Sequence, residues 1–371
     1  MVKKIIPVQH EDVQGALAAF LQAILACGEV DAVFTPMRMA TGAVTHALVA
    51  DPDQLARADP LAPVLPGNGA AQVARLTVRE PRARIAAVMR PCELRALVEL
   101  VKLRQASLDG VTVIGMDCLG AYPIPDFAAG NLPPIPPGVE TGEIRPVEGY
   151  RFRDACQMCE QPKPGAGATI KIRLIGTDPR QGIVVELPDD SPFAALPMLE
   201  DCADVIGEKR AAAVGRLAEM RAGQRDAKFA AIRAQLQEND GMQAVFAACI
   251  HCMNCQQVCP ICYCKVCLFR GQVFDHLPEK YILWAKRKGA LRMPTDTALF
   301  HLTRLNHMAL SCVGCGMCTE VCPAEIPVGQ VFRAIGADVQ AAFGYQPGRS
   351  LDEPLPLVTF RENEWTEVGE E

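Results

Sequence analysis

The chain has 371 residues, half of them apolar and 22% charged, and a formal net charge of −6. That length and balance describe two or three globular domains with substantial cores, and the acidic sign argues against a nucleic-acid partner. Seventeen cysteines, an odd number with most in metal-ligand spacing, exclude a small disulfide scaffold and point to a reducing cytoplasm.

In chain order, the first feature is an apolar stretch from Leu17 to Cys27 behind a basic start at Lys3 and Lys4. His10-Glu11-Asp12-Val13-Gln14 separates the two, which is wrong for an export signal. The stretch reads as a buried helix over about 11–27, with Cys27 on its apolar face as a core residue. No run approaches the ~20 apolar residues of a membrane span, so any membrane contact has to come through a partner.

Val30 to Thr35 and Thr45 to Ala50 read as strands. The clearest unit follows: a strand at Arg84–Met89, an amphipathic helix at Glu93–Arg104 and a strand at Val111–Met116. These lengths make a right-handed parallel crossover. Cys92 follows the first strand, in Arg90-Pro91-Cys92-Glu93, and Cys118 follows the second, in Asp117-Cys118-Leu119-Gly120. Parallel neighbours end at one sheet edge, where α/β folds bind ligands, and adjacent strands lie about 5 Å apart.

Proline and glycine crowd residues 122–149, which predicts an extended loop. A loop of that length is either functional and partner-contacting or a solvated linker. It delivers Cys156-Gln-Met-Cys159. Together with Cys92 and Cys118 these give four ligands for a 4Fe-4S cubane. Spacing alone leaves a second reading open, two inert buried thiols beside one zinc-like pair. Strands return at Thr169–Ile175 and Ile183–Leu187.

From Asp204 to Glu238 the sequence is Ala-rich and charged, with Val205, Ile206, Val214, Leu217 and Met220 at helical intervals. It reads as a long surface helix joining two domains.

Two cysteine runs then settle the broad chemistry. They are Cys249-x2-Cys252-x2-Cys255-x3-Cys259-Pro260 and Cys312-x2-Cys315-x2-Cys318-x3-Cys322-Pro323. This is the ligand spacing of a pair of 4Fe-4S cubanes, in which each close trio holds one cluster and the fourth Cys reaches the other. It assigns Cys249, Cys252, Cys255 and Cys322 to one cubane, and Cys312, Cys315, Cys318 and Cys259 to its neighbour. A structural zinc site needs only two Cys-x-x-Cys pairs. The runs are 52 residues apart (260–311), with helical candidates at 275–288 and 295–310, so the module reads as an α-helical dicluster ferredoxin.

Cys262, Cys264 and Cys267 follow the first run directly. Either they bind an additional cluster with a fourth ligand such as Cys202, or they pack beside the first cluster. His301 and His307 are six apart, off one helix face, and read as structural or exposed. Lys286-Arg287-Lys288 reads as a solvated helix end. The expected organisation is an α/β domain with a partly parallel sheet over 1–203, a helical linker over 204–244, an all-α two-cluster ferredoxin domain over 245–345, and a tail over 346–371. That tail, acidic and punctuated by proline, is expected to lie on a partner or to be loosely held.

Pro91-Cys92-Glu93, Asp117-Cys118-Leu119-Gly120 and Cys156-Gln-Met-Cys159-Glu160 resemble the cysteine motifs of the coenzyme F-420 hydrogenase/dehydrogenase beta-subunit family, in that family's order. The resemblance covers roughly residues 10–235. It implies a third 4Fe-4S cluster on Cys92, Cys118, Cys156 and Cys159, with FAD close by. The chain departs from the family where a flavin or deazaflavin would sit. Gln14-Gly15-Ala16 replaces a Gly-Gly pair, and Gly167-Ala168-Thr169-Ile170-Lys171 replaces an Ala-Asp-Ile-like segment. The cluster therefore carries over more fully than the flavin, and direct use of coenzyme F-420 is not expected. No Gly-x-Gly-x-x-Gly follows a strand, so a Rossmann dinucleotide site is not expected either.

Ser311 to Pro327 is similar to dicluster subunits of the heterodisulfide-reductase C type and of succinate dehydrogenase. No Cys-Cys dipeptide occurs, which weighs against disulfide chemistry. The resemblances imply a cytoplasmic iron–sulfur electron-transfer subunit without a membrane span of its own. Its partner would be a formate dehydrogenase or hydrogenase catalytic subunit, or a heterodisulfide-reductase-like flavoprotein. The alternative is a self-sufficient FAD-dependent oxidoreductase that reduces a diffusible carrier.

Overall fold

The computed structural model describes residues 1–79, 83–130, 132–202, 207–238 and 240–359. The first half is built on β1 (Val2–Pro7), α1 (Val13–Ala26), β2 (Ala32–Arg38), β3 (Val44–Val49), α2 (Ala70–Thr77), β4 (Ile85–Met89), α3 (Pro91–Lys102), β5 (Val111–Met116), α4 (Ile124–Ala129) and α5 (Asp154–Gln157). β6 (Ile170–Arg173), β7 (Gly182–Leu187) and β8 (Glu200–Asp201) complete the sheet. Its eight strands lie in the order β3-β2-β4-β5-β6-β7-β1-β8. The middle is parallel, β2 with β4, β4 with β5 and β5 with β6, and the flanks are antiparallel.

Alternation along the strands divides the apolar side chains between two faces. Val33, Ala86, Val88, Ile114 and Met116 face one core cluster, with Leu17, Phe20, Leu21 and Ile24 of α1. Phe34, Ala87, Met89 and Val113 face the other, with Val73 of α2 and Leu94 and Leu97 of α3. The Pro-rich loop is no solvated linker, because Leu132, Ile135, Val139 and Ile144 are buried in the first cluster.

α6 (Gly207–Gln237) carries the chain into its second half. The sequence placed the start of this helix and the start of the linker at 204, with Val205 and Ile206 on its apolar face; those positions lie outside the described residues. The helix is not a bare surface strut. Ala213 and Leu217 pack on the first cluster, and Phe229 and Ile232 on the second. Arg210 near its start forms a two-pronged pair with buried Asp117, Nη1–Oδ2 2.5 Å and Nη2–Oδ1 2.9 Å. That pair fixes the chain just before Cys118.

The remaining helices are α7 (Gly241–Val245), α8 (Asn254–Gln257), α9 (Pro278–Lys288), α10 (Thr297–Met308), α11 (Met317–Glu320) and α12 (Val328–Ala342). Their core side chains Phe246, Leu305, Met308, Val331 and Phe332 belong to the same cluster as the α2–α3 face of the sheet. The two halves therefore share a core. Beyond Gly241 the described residues form helices and short 3-10 turns, with no strand. One expectation fails here: Cys27 is exposed. It sits at the C-terminal cap of α1 with its thiol on the Ile24 carbonyl, because the apolar stripe ends at Leu25.

Candidate metal centres

β4 and β5 are parallel neighbours, so α3 and the loop after β5 leave the same sheet edge and carry Cys92 and Cys118 with them. Glu93 closes the first turn of α3 by accepting from the Arg90 N–H at 2.9 Å and from the Gly69 N–H at 2.8 Å. The Cys118 N–H donates to the Pro162 carbonyl at 2.7 Å. α5 brings Cys156, and Cys159 follows its end. All four thiols line one cavity. Its walls also hold Arg90, Arg153 and Arg221, each at most 6% exposed.

A second cavity is lined by Cys249, Cys252, Cys255 and Cys322 with Phe300, Ile326 and Val328. Around it the backbone turns left-handed at His251 and Met253, with φ of 56° and 60°. The His251 N–H then points at the Cys249 sulfur, 3.4 Å away. The third cavity is lined by Cys259, Cys312, Cys315 and Cys318 with Met308, Val313 and Phe332. Cys322 thus shares a wall with the first trio and Cys259 with the second.

Cys315 lines both the third cavity and the N-terminal one. Those two cavities therefore adjoin, and Arg304 in the wall of the third reaches the Cys255 sulfur of the second. Beside the N-terminal cavity, and sharing Arg153, Ala155 and Gly314 with it, a wide cleft opens to solvent between Tyr150, Arg151, Asp154, Gln330 and Arg333.

Burial pushes the thiols of Cys92, Cys312 and Cys318 upward, and that of Cys259 up to about 12. Burial acts on Cys118 in the same direction and outweighs the opposing charge of Arg90. Thiolates in such places need a cation at the sulfur. Among the described residues, no three His, Cys, Asp or Glu side chains converge on a single ion. The thiols stand instead around the walls of cavities, and apolar walls with buried guanidinium groups suit a bulky anionic cluster held by four sulfurs.

Two groups escaped the sequence reading. His301 is buried, stacked on Phe246 at 3.9 Å, with Nε2 3.3 Å from the Cys249 sulfur. Burial, aided by the Arg304 charge, lowers its pKa to about 3, so the imidazole is neutral. Arg304, one helical turn later, donates Nη1 to the Cys255 sulfur at 3.1 Å. No spacing rule marks either residue. Cys262, Cys264 and Cys267 line none of the three cavities. Cys202, proposed as their fourth ligand, lies at the end of β8 on the sheet edge.

Residues 246–326 match the family model of the 4Fe-4S dicluster domain. The chain is 26% identical over 311 residues to the F420-dependent formate dehydrogenase subunit beta of Methanocaldococcus jannaschii, covering 74% of this chain and 75% of that one. It is 27% identical to the F420-dependent formate dehydrogenase 1 subunit beta of Methanococcus maripaludis, covering 74% and 76%. Among solved structures, a chain of the F420-reducing NiFe hydrogenase complex from Methanosarcina barkeri aligns over 63% of this chain and 92% of its own, at 13% identity and a TM-score of 0.47.

Proposed function

We propose that this chain, similar over most of its length to formate dehydrogenase beta subunits, is the iron–sulfur electron-transfer subunit of a multisubunit oxidoreductase. The observation that carries the reading is the set of three cavities, each with one of three cysteine quartets in its walls, Cys315 lining the N-terminal one as well as its own. Cys92, Cys118, Cys156 and Cys159 would hold one cubane; Cys312, Cys315, Cys318 and Cys259 the next; Cys249, Cys252, Cys255 and Cys322 the last. When bound, each cubane takes up and releases one electron at a time.

The protein's own part is positional and electrostatic. The sheet edge and α5 fix the first thiol set. The left-handed turn at His251 aims its backbone N–H at the Cys249 sulfur, which stabilises negative charge there. The shared core around Phe332 and Met308 fixes the distances and excludes water. Residues 245–345 act as an all-helical two-cluster module behind an α/β domain over 1–203, with residues 204–244 as the connector.

FAD is the group we place in the solvent-facing cleft. Tyr150 and Phe152 offer aromatic surface there, and Arg151 and Arg333 offer cations. The cleft adjoins the N-terminal thiol set, so a flavin there would exchange electrons with that cluster.

A catalytic subunit of formate dehydrogenase or hydrogenase type is the proposed partner, in the cytoplasm. Exposed Ile250 lines the Cys249–Cys255 cavity, and Val266, Val273, Leu277, Ile282 and Leu283 are exposed in the stretch between the two cysteine runs, which supports a subunit contact by this half. No helix among the described residues is long and apolar enough to cross a membrane.

Anaerobic purification with iron, sulfide and flavin analysis tests the reading. Three cubanes give about twelve irons per chain. About eight would remove the N-terminal cluster, and zinc in place of iron would overturn the function.

A further inference from the structure

Arg304 is 4% exposed and sits on α10 between two of the cavities. Nη1 donates to the Cys255 sulfur at 3.1 Å and Nη2 to the Cys255 carbonyl at 3.0 Å. The guanidinium faces the rings of Phe300 and Phe332, 5.5 and 5.0 Å from their centroids. It also lines the neighbouring cavity, the one walled by Cys259, Cys312, Cys315 and Cys318. Its Nε has no hydrogen-bond partner, and among the described residues no carboxylate pairs with it, unlike Arg153 or Arg173.

A guanidinium taken out of water with no counter-ion is strongly disfavoured. A guanidinium keeps its charge at any ordinary pH, so an anion has to compensate it. Four thiolates around a cubane leave a net charge of about −2, which becomes about −3 when one electron is added. Arg304 touches the sulfur of one such set and forms the wall of the other.

We propose that Arg304 is the shared counter-cation of the two clusters in the helical half, holding both reduction potentials up and offsetting the repulsion between them when both are reduced. A cation beside each cluster favours the state with the extra electron, and no proton has to follow it. This inference rests on the two-cluster reading above.

The test is an anaerobic redox titration of the full chain with dithionite, followed by electron paramagnetic resonance. Wild type is compared with Arg304→Gln, Arg304→Met and Arg304→Lys, with iron measured in each. A wild type without iron would sink the two-cluster reading itself.

With iron retained, the neutral variants are expected to lower the reduced-to-oxidised ratio of both clusters about tenfold at a fixed potential, a shift of ~59 mV for one electron. Arg304→Lys should restore most of it. Unchanged potentials with full iron, or a shift confined to the Cys249–Cys255 cluster, overturn the proposal. If both neutral variants lose iron, Arg304→Lys decides. Full iron and near-wild-type potentials support a role of charge, whereas iron loss there too makes Arg304 a structural clamp and overturns the proposal.

Discussion

Arg153 and Glu320 form a buried ion pair, Nε to Oε2 at 2.9 Å, across the junction of the two halves. Arg153 precedes the α5 cysteines and also donates to the Cys315 carbonyl at 3.3 Å. Glu320 ends α11 and accepts from the Ile124 N–H at 2.8 Å. The pair thus ties the wall of the N-terminal cavity to the sulfur-bearing loop of the next. Removing one member of a buried pair strands the other and costs about 3 kcal/mol. Glu320→Ala should lower the thermal midpoint under anaerobic conditions by about 4 °C. A midpoint within a degree of wild type would mean that the junction is held by packing alone.

The crossed thiols make a sharper prediction. Cys322 lines the cavity of Cys249, Cys252 and Cys255, although it belongs to the other run. Cys322→Ser should therefore perturb the same cluster signal as Cys252→Ser, and Cys259→Ser the same signal as Cys312→Ser. Paramagnetic resonance of the four reduced variants distinguishes this from the uncrossed arrangement, in which Cys322→Ser would group with Cys312→Ser.

Much of this was legible in the sequence because the signals are local. The β4–α3–β5 crossover follows from apolar periodicity over residues 84–116, and the cavity walls follow from cysteine spacing. β1 was missed because Lys3 and Lys4 interrupt the alternation. What makes it a strand is pairing with β7, Val2 opposite Leu187 through Pro7 opposite Gly182, almost the whole first half away. His301 and Arg304 were missed for a similar reason. They reach the thiols of Cys249 and Cys255 across about fifty residues of chain, and nothing in a helical pattern says which polar residue will face a sulfur. Burial of the 122–149 loop was equally unreadable, since its apolar residues have no period.

Gly316 shows how closely the halves meet. Its φ is 70°, and a Cβ there would lie 2.2 Å from the Cβ of Ala155 on α5. Gly316→Ala should cost well over the ~1 kcal/mol of left-handed strain, because α5 must move and Cys156 moves with it. Gly289→Ala has a similar φ of 81° with nothing within 4 Å, so it isolates the strain. Thermal melts should rank Gly316→Ala far below Gly289→Ala, with iron reduced only in the former. Equal melts would show that the contact yields without cost.

Iron retention should depend on pH in one direction. Burial raises the Cys92, Cys312 and Cys318 thiols, and the Cys259 thiol to about 12, so in the iron-free fold these groups hold their protons at neutral pH. Iron binds thiolate, and each ligand bond displaces one proton. Lowering pH therefore favours the protonated, iron-free side, and raising it favours the cluster. Loss of iron to an excess of chelator, followed anaerobically by the visible absorbance, should be faster at pH 6 than at pH 8. A rate independent of pH across that range would mean that the sulfurs give up iron without taking protons, which the burial of these thiols does not allow.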